Sequence, residues 1–181
     1  MVVDRMDGGP AGMRFCDSWR DRTERRIQCL VAEHVALRAL CDRLEAIADG
    51  LPGLPSFEER QQLARQLTTL ITPHQAQEDD LLESLLPPEG ASAVERSLVE
   101  RIRGQHIMDA VHAQDLGAAL EAARPDGDPE ALGYMLRCFF DGCRRAMAFE
   151  ELTLLNLSGR RLSPGMDALL GACLRTGPAL N

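Results

Sequence analysis

The chain contains no lysine: its twenty basic residues are all arginine, set against twenty-eight acids for a formal net charge of −8. An acidic balance without a basic tract excludes nucleic acid or an anionic membrane surface as the main partner. Nor does any stretch approach the roughly 18 consecutive apolar residues that a membrane-spanning helix needs. Residues 1–13 hold acids and glycines where a secretory leader would have an apolar core, so a cytoplasmic protein is expected. Aromatic residues make up only 4% of the chain and strand-like alternation of useful length is missing, which leaves helix as the regular structure. The six cysteines (Cys16, Cys29, Cys41, Cys138, Cys143 and Cys173) include no Cys-x-x-Cys pair. A zinc ribbon or a dithiol motif of that spacing is therefore excluded, and reduced, buried thiols are the default.

What is present is helical periodicity. The 181 residues, 45% of them hydrophobic, suit one domain with a single core. Residues 1–17 are Gly-rich and aperiodic and read as a flexible lead-in, with Ser18 able to cap the first helix. That helix runs to about Asp49 on a seam of Ile27, Leu30, His34, Leu37, Cys41 and Leu44, spaced alternately by three and four. Ser56 with Glu59 reads as a capping box for the second helix. Its seam is Leu63, Leu67, Leu70, His74, Glu78, Leu81 and Leu85, with Pro73 expected to bend or divide it and Pro87-Pro88-Glu89-Gly90 to end it.

Ser92 with Glu95 opens a third helix to about Ala123, on Val94, Leu98, Ile102, His106, Asp109, Ala113, Leu116 and Leu120. Asp128-Pro129 supplies a cap and a first-turn proline for the fourth. The fourth seam is Leu132, Leu136, Phe139, Cys143, Ala146, Glu150, Thr153 and Leu157, with Gly159 near its end. Ser163-Pro164 begins a short helix to about Leu174, closed by Gly177-Pro178. The expected fold is all-α: an up-down-up-down antiparallel four-helix bundle over residues 18–157, then a short C-terminal helix and tail over 158–181.

Polar residues interrupt every seam near mid-helix: His34, His74 with Glu78, His106, and Glu150. Alternating helix directions bring these positions to one level of the bundle. Burying three imidazoles and two carboxylates without partners costs several kcal/mol, and one metal site satisfies them together. His74 and Glu78 lie four residues apart, about 40° round the helix, and can converge on a single ion. Asp79, Asp80 and Glu151 read as exposed neighbours. Asp109 suits either a ligand or a hydrogen-bonding role, and His112, about 120° from His106, is left out. Cys41 and Cys143 fall towards one end of the same core as small apolar residues, with a soft ligand or a redox partner as the sharper reading.

This pattern resembles the hemerythrin-like, HHE cation-binding proteins. Their pattern is a histidine on helix 1, His-x-x-x-Glu on helix 2, a histidine on helix 3, and His with a carboxylate on helix 4. The run HQAQEDDLLESLLPP is similar to the family's second element, and the likeness covers roughly residues 18–157. It implies His34, His74, Glu78, His106 and Glu150 as metal ligands, a non-haem di-iron or mono-iron cofactor with manganese or zinc possible, and a diatomic or peroxide partner. Two departures stand out: Ala146 replaces the helix 4 histidine, and Ala110 occupies the place of a second histidine on helix 3. One metal position is thus short of nitrogen ligands. The alternative is a metal-free or partly metallated regulatory bundle with a degenerate site. A ferritin-like oxidase is set aside because no Glu-x-x-His occurs.

Overall fold

The computed structural model describes the backbone of residues 10–176 apart from 88 and 126, and the side chains of residues 19–175 apart from those two and residue 160. Four long helices, α1 (Pro10–Gly50), α2 (Phe57–Leu85), α3 (Ala93–Ala122) and α4 (Pro129–Ser158), are followed by a single 3₁₀ turn and α5 (Pro164–Thr176). No strand occurs among the described residues. Successive helices pack side by side, and α1 closes the ring against α4. The bundle is therefore the four-helix architecture that the seams imply.

Local chemistry accounts for the ends. Ser92 accepts from the Glu95 amide while Glu95 accepts from the Ser92 amide, a complete capping box at α3. Asp128 caps α4 through the amides of Glu130 and Ala131, with Pro129 in the first turn. Ser56 caps α2 through the amide of Glu59. None of α1 to α4 has a basic residue in its last turn; arginines from elsewhere serve instead. Buried Arg60 donates to the carbonyls of Leu120 at 2.9 Å and Ala123 at 2.9 Å at the end of α3. Arg161 reaches Leu85 at 2.9 Å and Leu157 at 2.6 Å, closing α2 and α4 together.

Three expectations need correction. α1 begins at Pro10, so Ser18 lies inside the helix and residues 10–17 are not a loose lead-in; a proline at the first helical position has no amide to leave unpaired. Residues 1–9 and the closing Gly177-Pro178 fall outside the described residues. Pro73 does not divide α2, which continues through it. Pro73 and Thr69 are both exposed, where water can take up the carbonyl that loses its amide. Val94 is 67% exposed, and Val99 takes its place in the core. Three successive steps of four residues carry Val94 about 120° from His106, whereas Val99, one heptad away, stays within about 20°.

The core is divided into two apolar clusters. One holds Leu37, Leu44, Leu67, Leu116, Leu136 and Met147 among others. The other holds Ile27, Leu30, Leu81, Ile102 and Leu154, closed by Leu162, Met166 and Leu170 of the C-terminal segment. Along every helix the polar intrusions fall between the two sets. Both ends of the polar layer are thus sealed by hydrocarbon, and α5 thickens one of them.

Candidate metal centre

His34 on α1, His74 and Glu78 on α2, His106 on α3 and Glu150 on α4 are all buried, each at 5% exposure or less. The helical seams alone bring them to one level. The His34 and His74 rings meet edge to face with centroids 5.0 Å apart. One ligand atom from each of His34, His74, Glu78 and Glu150 lies within 4.8 Å of every other, a cluster able to hold a cation. His106 stands outside that set but against both carboxylates, its Nε2 3.2 Å from Glu78 Oε2 and 3.6 Å from Glu150 Oε1.

The three imidazoles share one orientation. Each directs Nε2 at an inner carboxylate: His34 at Glu150 (3.3 Å), His74 at Glu78 (3.7 Å) and His106 at Glu78 (3.2 Å). Each sets Nδ1 beside an outer carboxylate: His34 beside Glu151 (2.8 Å), His74 beside Glu33 (2.9 Å) and His106 beside Asp79 (3.2 Å). A carboxylate can only accept, so Nδ1 of His34 and of His74 carries a hydrogen to Glu151 and Glu33, and the inward Nε2 is the nitrogen left to a cation that displaces its proton. Carboxylate–histidine–metal arrangements have this form. His34 Nε2, Glu78 Oε1 and Glu150 Oε2 are buried without a hydrogen-bond partner. Such orphans are costly, and a cation between them satisfies all three, so the residues fit the group.

The electrostatics agree. Burial disfavours charge on His34, yet Glu150 and Glu151 outweigh it and raise its pKa to about 9. Burial likewise opposes charge on His106, and the bonds to Glu150 and Glu78 lift it to about 10. Burial drives Glu78 up to about 7, helped by the charge of Glu150. Glu150 is pulled the other way: burial raises it, but His106 and His34 bring it down to about 2. His74 is lowered by burial and by the neighbouring His34 charge. Without a cation, protons on two histidines offset the carboxylates.

The family model for the hemerythrin HHE cation binding domain matches residues 26–157. The chain belongs to that family. Cation binding is thus the family property of this hemerythrin-type bundle, and the match spans all five polar seam residues. Comparisons with curated proteins and with solved structures returned no match.

Among the neighbours of the hemerythrin-type centre Glu151 and Asp79 depart from expectation, while Asp80 and His112 meet it. Glu151 is fully buried instead of exposed, because α4 packs on α1 there and the carboxylate meets His34 and Arg38. Asp79 is part-exposed and faces His106, and Asp80 is exposed. Asp109 accepts from Gln105 at 2.8 Å, and burial raises its pKa. His112 is exposed. The outer carboxylates were readable in one respect: Glu33, Asp79 and Glu151 each adjoin a seam residue in sequence, as Glu33-His34, Glu78-Asp79 and Glu150-Glu151. Beside Ala146 lies a cavity of about 20 Å³, lined by His74, His106, Asp109, Cys143 and Glu150.

Proposed function

We propose that this protein holds one firmly bound non-haem metal ion, iron in the first place, through His34, His74, Glu78 and Glu150. At that centre it binds, senses or reacts with dioxygen, peroxide or nitric oxide. The observation that carries the reading is the common orientation of the three imidazoles, Nε2 inward at Glu78 and Glu150, with Nδ1 of His34 and His74 tied to Glu151 and Glu33. Two imidazoles and two carboxylates suit iron or manganese, with zinc a poorer match. His106 brings a single nitrogen to a second position, which Ala110 and Ala146 leave without the other two. A bound iron would supply redox capacity and open coordination positions for a small molecule.

The chain's own residues do the rest. Glu151 and Glu33 hold the His34 and His74 rings in place, and the two apolar clusters border the layer on both sides. The cavity beside Ala146 exceeds the roughly 10–15 Å³ that admits one water, so it suits ligands of one or two heavy atoms. Core thiols that carry no disulfide among the described residues fit a reducing, cytoplasmic setting.

The test is to load the protein with ferrous iron without oxygen, then admit air and follow its absorption spectrum. A change that His34→Ala abolishes supports the reading. Ala146 motivates the rival, a metal-free interaction bundle. It would be favoured if chelator left the melting temperature unchanged and His74→Ala kept both fold and partner binding.

A further inference from the structure

Cys41 on α1 and Cys143 on α4 belong to the apolar cluster that borders the polar layer, and the register that sets His34 against Glu150 at 3.3 Å puts them at facing positions one heptad on. Both are buried, and each thiol perturbs the other, Cys41 being drawn below and Cys143 pushed above the ordinary thiol range. Neither sulfur is disulfide-bonded. They stand 102 residues apart in sequence and a heptad from His34 and Glu150 respectively, so only the fold brings them together. Cys143 also lines the cavity of about 20 Å³ beside Ala146. A small molecule admitted there therefore meets the Cys143 side of the pair as well as the imidazoles of His74 and His106.

We propose that Cys41 and Cys143 form a dithiol that hydrogen peroxide converts to a disulfide joining α1 to α4. Two thiols and one peroxide give one disulfide and two waters. One sulfur of the pair attacks a peroxide oxygen; an S–O bond forms, the O–O bond breaks, and the attacking thiol's proton goes to the departing oxygen, which leaves as the first water. The other sulfur then attacks the oxidised one, the S–O bond breaks, and that oxygen leaves with the second thiol's proton as the second water. Sulfur is oxidised and peroxide oxygen reduced, with two electrons passing between them. The sulfurs must close to the roughly 2.05 Å of a disulfide. A cavity of this size admits peroxide and shuts out a tripeptide oxidant, which separates this pair from exposed Cys29 and Cys138.

The test uses the full chain with chelator present, so that its result is independent of the metal reading. Cleavage after arginine would leave Cys138 and Cys143 on one peptide, so Cys138→Ser is the working background. The protein is exposed to equimolar hydrogen peroxide, quenched in acid, unfolded with a thiol-capping reagent, and digested unreduced. The expected product is the 39–43 peptide joined to the 138–144 peptide, absent in Cys143→Ala and absent when glutathione disulfide replaces peroxide. Recovery of both Cys41 and Cys143 as capped thiols, under conditions that oxidise Cys29, would overturn the proposal. Equal yield with glutathione disulfide would overturn the cavity route.

Discussion

Glu151 Oε1 accepts from two donors at once, Nδ1 of His34 at 2.8 Å and Nη2 of Arg38 at 2.7 Å. The pair binds α1 to α4 and fixes the His34 ring with Nε2 aimed inward. Glu151→Gln retains shape and an acceptor but removes the charge that makes the imidazole a stronger donor to metal. Metal affinity is expected to fall about 10- to 100-fold, measured by competition with a calibrated chelator. Unchanged affinity would show that the outer carboxylate has no part in binding.

The pH dependence has opposite signs with and without metal. In the metal-free protein His34 at about 9 and His106 at about 10 lie above their ordinary 6.5. Their contribution to stability is complete below about pH 6.5 and lost as pH rises through 9 to 10. Glu78, at about 7 against 4.5, favours the fold below 4.5 and loses that contribution through pH 7. Glu150, at about 2, acts oppositely, its contribution being lost only as pH falls from 4.5 through 2. The chelated protein should therefore melt lower at pH 9 than at pH 7. Metal must displace those protons, so its affinity rises over the same interval. Melting curves should show the gap between loaded and chelated protein widening; a constant gap would contradict the assignment.

Ala146 lies beside the cavity and between Cys143 and Glu150 on the α4 seam, at the position where the resemblance puts a ligand histidine. Ala146→His should add a nitrogen facing His106 and raise the metal retained per chain from one ion towards two. Elemental analysis after desalting reads the outcome. A count that stays at one would mean that a histidine at this position does not complete the second position.

Arg60 offers a control away from the centre. It is buried and donates to three carbonyls, those of Leu120, Ala123 and Pro55. Arg60→Met leaves the end of α3 unpaired and should cost about 2–4 kcal/mol, a drop of roughly 5–15 °C in melting temperature. Metal affinity at the distant layer should not change.

The helices and five polar seam residues were legible because period and register are local properties. Every residue placed on the α1 seam is buried, as are His74, Glu78, His106 and Glu150. What escaped depends on packing between helices. Glu151 lies about 100° from Glu150 round α4, a direction that reads as solvent until α1 is known to fill it. Val94 escaped for a related reason: a seam extended in steps of four drifts off the core within three steps.

The most direct test is the metal content of the full chain after anaerobic loading with ferrous iron and removal of unbound ions. One ion per chain is expected, falling to none in His34→Ala and in Glu78→Ala variants that remain helical. No metal retained by the unaltered protein would contradict the metal centre, and two ions retained would contradict the single-ion form that Ala110 and Ala146 imply.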